Sequence, residues 1–181
     1  MARFLNKATK QFREDDGTGQ ARENEIRSPD LSAVEGVAQA RWIIDGETVR
    51  APNEQESAAF DAADLQAAKV AKLDAINPKT GQLIEAGSVV INGVAISTAL
   101  TNQVSLQGID SIIEKGLATF PQPISATNGG TYLISSQTDL DRIGGLVATF
   151  VMTTKAEGRA LRALVLACNT VAEVDAVEDS R

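Results

Sequence analysis

The sequence predicts an α+β fold: a small domain of β-hairpins packed with helices, preceded by a mostly extended N-terminal arm. Three observations carry that prediction. Asn92-Gly93 lies between Ser88-Val89-Val90-Ile91 and Val94-Ala95-Ile96-Ser97, and the dipeptide supplies the two positive-φ positions of a type I′ hairpin turn. A long Ala-rich stretch precedes it and amphipathic helical periodicity follows it. Residues 14–39 are polar and glycine-bearing, with few large apolar side chains.

In chain order, Phe4, Ala8 and Phe12 recur at helical spacing among Arg3, Lys7, Lys10 and Arg13, which predicts a short basic amphipathic helix. Together with Trp42 these cations and rings (Arg3, Phe4, Lys7, Lys10, Phe12, Arg13) are the candidate docking residues for an acidic partner surface. The stretch through Asp15-Asp16-Gly17, Ser28-Pro29 and Gly36 reads as an arm, so residues 1–40 form one docking segment. Arg41-Trp42-Ile43-Ile44, Asp45-Gly46 and Glu47-Thr48-Val49-Arg50 predict a second hairpin within 41–53, with Asp45-Gly46 as its turn and Trp42 as a packing anchor.

Asn53 and Glu56 have the spacing of a capping box and open a long helix over 54–87, which runs through Phe60, Leu65, Val70 and Leu73 to about Ile76. Asn77-Pro78 should break it, because the residue before proline resists the α conformation. A short piece then ends at Gly87, expected in the left-handed conformation of a C-terminal cap. Residues 88–181 are the compact domain. Leu100, Val104, Ile109, Ile112, Ile113 and Leu117 predict a helix facing the sheet, ended by Gly116 or Pro121. Residues 123–134 predict a third hairpin about Gly129-Gly130, which is no phosphate loop for want of a Walker-type lysine and a following helix. Thr138 is the expected cap of a helix with an apolar face of Leu140, Ile143, Leu146, Val147 and Phe150. A separate helix should carry Leu161, Leu164, Val165 and Cys168, and Thr170 with Glu173 should form a capping box on a last short helix.

Composition narrows the chemistry. With 181 residues there is room for one medium domain or a small domain with appendages, and only seven aromatic residues leave the core to Ala, Val, Leu and Ile. A net charge of -7 and a pI near 4.7 argue against binding nucleic acid or an anionic membrane. The charge is uneven: the first thirteen residues are basic, whereas residues 54–181 carry nine basic and fifteen acidic side chains. A single cysteine and no histidine exclude an internal disulfide, imidazole zinc sites, Ser-His-Asp triads and Cys-His pairs. Neither a catalytic constellation nor a metal or cofactor motif is legible, so an enzyme is not expected. Asp139 and Asp141 at a helix start lack a third ligand. Arg159 and Arg162 on one helix face could meet an acidic partner or sugar carboxylate, against the ordinary expectation of pairing with local acids. Cys168 reads as a buried small hydrophobe. No apolar run reaches membrane-spanning length and no signal-peptide core is present, which predicts folding in a cytoplasm without membrane insertion.

The order of segments resembles tailed-bacteriophage tail proteins, in which an aromatic strand and short hairpin precede an acidic Ala-rich helix. Here these are Arg41-Trp42-Ile43-Ile44-Asp45-Gly46 and Glu54-Gln55-Glu56-Ser57-Ala58-Ala59. Ala68-Lys69-Val70-Ala71-Lys72-Leu73-Asp74-Ala75-Ile76, Ile84-Glu85-Ala86-Gly87 with its hairpin, Gly158-Arg159-Ala160-Leu161 and Ala172-Glu173-Val174-Asp175-Ala176-Val177 are similar to a domain of unknown function that recurs in phage tail and tail-fibre proteins. The resemblance implies a virion structural protein: a baseplate, tail-fibre or fibre-adaptor component that works in the tail after assembly in the host cytoplasm. Its implied partners are other virion tail proteins, and the long Ala-faced helix, with little large apolar burial of its own, predicts association with copies of itself, as in a trimer. The alternatives are a tail-fibre assembly chaperone and a receptor-binding module for host surface sugar.

Overall fold

The computed structural model describes residues 2–15 and 17–181, so Asp16 of the expected arm lies outside the described residues. The chain divides into two compact units, Met1–Gln66 and Ala67–Arg181.

Residues expected as a basic helix and a linker instead build a small sheet. Strands β1 (Arg3–Asn6), β2 (Phe12–Glu14) and β3 (Glu25–Arg27) pair antiparallel in the order β2-β1-β3, with Leu5 opposite both Phe12 and Ile26. The local reason is Asn6. Its carboxamide oxygen accepts from the amides of Ala8 and Thr9, both at 2.9 Å, and Lys10 turns left-handed at φ 59°, which closes a turn where a helix would need to run on. Period two replaces period 3.6: Leu5 faces a core of Ile26, Val34, Trp42 and Val49, while the buried ring of Phe4 lies on the other face beneath Arg13. Leu5, Ile26 and Val34 of the segment that reads as arm, joined by Trp42 and Val49 of the next hairpin, thus suffice for a core.

Strands β4 (Ile43–Asp45) and β5 (Thr48–Arg50) form the next hairpin. Its turn is Gly46-Glu47, one residue later than expected. Gly46, at φ 62°, fills the first central position, where a type II′ turn calls for glycine. The Asn53-Glu56 capping box forms as expected, with both of its hydrogen bonds at 2.8 Å. Arg50 grips Glu56 through two nitrogens, at 2.6 and 2.8 Å, and Asp45 at 2.7 Å, so hairpin and helix start are tied together.

Helix α1 (Glu54–Ala86) runs unbroken for 33 residues with Pro78 inside it, contrary to the expected break. An interior proline costs about 3 kcal/mol. Buried Ile76 and Ile84 flank it, and each buried isoleucine contributes about 1.5–3 kcal/mol, so tertiary burial outweighs the local preference. Gly87 is not left-handed. It is small for a different reason: a Cβ there would stand 2.5 Å from the Phe150 ring and 2.6 Å from Thr98 Oγ1.

The second unit packs hairpins β6–β7 (Ser88–Ile91, Val94–Ser97) and β8–β9 (Gln122–Ser125, Thr131–Ile134) against α2 (Leu100–Glu114) and α3 (Gln137–Ala167). Asn92 and Gly93 take φ 49° and 80°, as the type I′ turn demands. A single bridge between Ile96 and Ala126 joins the two hairpins. The core gathers Ile84, Ile91, Ile96, Leu106, Ile109, Ile124, Ile134, Leu140, Ile143, Val147 and Val151. Helix α2 ends at Gly116, at φ 66°, where the amides of Gly116 and Leu117 return to the carbonyls of Ile113 and Ile112 in a Schellman motif. Its inward face is Leu106, Ile109 and Ile113, not the full set expected. Leu100 and Val104, about 120–180° round the helix from Leu106 and Ile109, point to solvent.

Helix α3 is one 31-residue element where two helices were expected, and its cap is Ser136, not Thr138. Ser136 is extended and its side chain accepts from the Asp139 amide at 3.2 Å. Nothing between Phe150 and Leu161 stops the helix. Gly158, in that interval, is where α1 comes close: an added Cβ would meet Thr80 Oγ1 at 2.6 Å. Helix α4 (Val171–Ala176) opens with the expected Thr170-Glu173 capping box and buries Val174. Along α1, Lys69, Lys72 and Lys79 donate to the backbone carbonyls of Leu166 (2.9 Å), Asp175 (3.2 Å) and Asp179 (2.8 Å).

Candidate docking surface

The seven candidate docking residues come together in the first unit, but as parts of its fabric. Phe4 is fully buried under the Arg13 guanidinium, 4.5 Å from its ring centre. Phe12 meets Trp42 edge to face at 6.2 Å. Trp42 is the packing anchor expected, its indole N–H donating to the Val37 carbonyl at 2.9 Å. Arg13 binds Glu25 through two nitrogens, at 3.0 and 2.7 Å, and the Arg22 amide adds a third hydrogen bond at 3.0 Å. Those donors, Arg13 first, hold the Glu25 carboxyl down at about 2. Lys7 pairs with Glu47 at 2.6 Å.

Around Phe60 of α1 a second cluster forms. Lys10 and Arg41 each place a cation 5.9 Å from the ring centre, Lys10 also donates to the Ala40 carbonyl at 2.6 Å, and Arg41 reaches Asp61 and Asp64. Most of the cations expected to face a partner are thus met by carboxylates of the same unit. Arg3, stacked 5.0 Å over Phe12, borders a cleft of about 210 Å³ with Ser28, Pro29 and Leu31.

The remaining candidates sit in the second unit and are not brought together. Asp139 accepts from the Tyr132 hydroxyl at 3.0 Å and the Ser135 amide at 3.1 Å, and Tyr132 in turn accepts from Asn92 at 3.1 Å. Burial, then the Asp139 carboxylate, pushes the Tyr132 hydroxyl up. Asp141 takes one hydrogen bond from Gln137, whose amide also reaches Asp110, both at 2.9 Å. Among the described residues no group of three or more His, Cys, Asp or Glu side chains is placed to hold a metal ion. Cys168 is only half-buried, at the C-terminal cap of α3, its thiol 3.2 Å from the Leu164 carbonyl. Arg159 and Arg162 share a face as expected, but without local acids. Lys155, which the sequence reading passed over, stands on the same face one turn earlier, and its i, i+4, i+7 spacing to the arginines was the available signal.

Comparison with protein-family models, with curated proteins and with solved structures finds no match to this chain.

Proposed function

We propose that the protein is a structural component of a tailed-phage virion, a baseplate, tail-fibre or fibre-adaptor protein that docks on other tail proteins and associates with copies of itself. The observation that carries this reading is the exposed apolar pair on α2 of the second unit. Leu100 and Val104, one turn apart on α2, are 61% and 58% exposed, and Val90, Leu133, Met152, Leu164 and Leu166 are similarly bare on β6, β9 and α3. Side chains of this size left in water are the kind a multi-subunit assembly covers. The resemblance of the segment order to phage tail proteins supplies the rest. In the first unit, Arg3 beside its cleft offers one cation to an acidic neighbour.

Mass spectrometry of purified virions together with light scattering on the purified chain tests the proposal. Stoichiometric presence in virions and a symmetric oligomeric mass are expected. Absence from virions, with a soluble species that binds a fibre protein, would instead make it an assembly chaperone.

A further inference from the structure

A second surface carries an inference of its own, independent of any role in a particle. Lys155, Arg159 and Arg162 project from one face of α3 and line a cleft of about 210 Å³ with Asn77 and Thr80 of α1, floored by Gly158. All three cations are exposed, and among the described residues none makes an ion pair or a side-chain hydrogen bond.

What sets them apart is that they stand together on one helix face around a cleft. Where a guanidinium is used structurally, a carboxylate meets it: Arg13 has Glu25, Arg41 has Asp61 and Asp64, Arg50 has Asp45 and Glu56, and Arg181 has Asp179. With acids in excess overall, three unneutralised cations on successive turns are not a consequence of composition. Like charges at i, i+4 and i, i+3 repel, so the helix bears a penalty that a bound anion relieves. Glu157, the nearest acid along α3, acts on Arg181, which is itself held by Asp179 and donates to Thr80 Oγ1 at 2.9 Å. The Thr80 hydroxyl in turn donates to the Ile76 carbonyl, so it belongs to the wall. The Asn77 carboxamide makes no hydrogen bond among the described residues and is available to orient a ligand.

We propose that this cleft binds a tetrahedral oxyanion, a phosphate or sulfate group, either free or carried on a small molecule such as a sugar. Two guanidinium forks present paired N–H donors to oxyanion edges, and the lysine adds a compact charge beside them. The volume takes one such group and part of its carrier, and the acidity of the surrounding chain keeps extended polyanions away.

The test uses the full chain at low ionic strength, titrated with inorganic phosphate, inorganic sulfate and glucose 6-phosphate, followed by amide chemical shifts and calorimetry. Saturable binding with shifts centred on Asn77, Thr80 and residues 155–162 is expected, weakened about tenfold or more in Arg159→Gln/Arg162→Gln and unchanged in Arg3→Gln. Tighter binding of the sugar phosphate than of phosphate identifies a carried group, and equal binding a free ion. No saturation with any of the three probes, shifts centred elsewhere, or undiminished affinity in the double variant with its helix content intact would overturn the assignment.

Discussion

Gly87→Ala is the sharpest probe of how the second unit is packed. The backbone at Gly87 is one that alanine adopts, so conformational strain plays no part, and alanine stiffens the unfolded chain by about 0.4–1 kcal/mol in favour of folding. Against that gain stands a methyl 2.5 Å from two Phe150 ring atoms and 2.6 Å from Thr98 Oγ1. Overpacking of this kind costs about 1–3 kcal/mol. Thr98 cannot yield freely: it is fully buried, its hydroxyl donates to the Ile84 carbonyl at 2.7 Å, and its amide donates to Gly87 itself at 2.9 Å. If the hydroxyl bond breaks, a further 1–3 kcal/mol or so is lost. From middle values of these opposing contributions, the expected net effect is a destabilisation of about 1 kcal/mol, rising to about 3 kcal/mol if the hydroxyl bond is lost. Urea unfolding followed by far-ultraviolet circular dichroism measures it. Phe150→Leu in the same chain removes the two ring atoms and should restore part of the loss, a coupling that distant sites do not show. If Gly87→Ala alone proves as stable as the parent, the close approach described here is wrong.

Three further outcomes follow from the same geometry. Ser136→Ala should cost about 1 kcal/mol of α3 stability in thermal melts, whereas Thr138→Ala should stay within about 0.5 kcal/mol, and the reverse order would return the cap to Thr138. Pro78→Ala should stabilise the second unit by up to about 3 kcal/mol by restoring an α1 hydrogen bond, and a lower melting temperature would contradict an unbroken helix. Glu25, whose carboxyl is lowered from 4.5 to about 2, gives its full stabilisation above its unfolded value and loses it as pH falls through about 2, because the unfolded chain binds the proton first. The urea midpoint of Trp42 fluorescence should therefore drop across that window, and drop less in Glu25→Gln; equal acid sensitivity in both would remove the Arg13-Glu25 pair as its source.

Where the sequence was legible, a few residues acted through local geometry alone. Asn92-Gly93, the Asn53-Glu56 and Thr170-Glu173 boxes and Gly116 each satisfy nearby backbone groups, and each is found in place. The failures are places where distant partners decide. Pro78 stays helical because Ile76 and Ile84 are buried by other elements, and Gly87 and Gly158 are explained by Phe150, Thr98 and Thr80 rather than by their neighbours in sequence. The N-terminal sheet escaped notice because Phe4, Ala8 and Phe12 mimic a helical period, while the deciding residue, Asn6, is a single turn-forming side chain. Of the surface features, the cations of residues 3–13 were visible as a group but their burial and pairing were not. Lys155 became the companion of Arg159 and Arg162 only once α3 ran through without interruption.

The three lysines of α1 that hold the C-terminal segment all do so through main-chain oxygens. Lys69 also answers one of the carbonyls that the end of α3 leaves unpaired. A clasp of this kind is indifferent to the side chains it grips: the residues at 166 and 175 can change identity and still present the same oxygen. At Asp179 the grip is doubled, since Lys79 also reaches the carboxylate at 3.3 Å. Mutational tolerance along this segment should therefore be lopsided, broad at 166 and 175, narrow at 179, and strict for the lysines. A neutral acyl cap on any of the three ammonium groups would loosen the segment without altering a single residue of it.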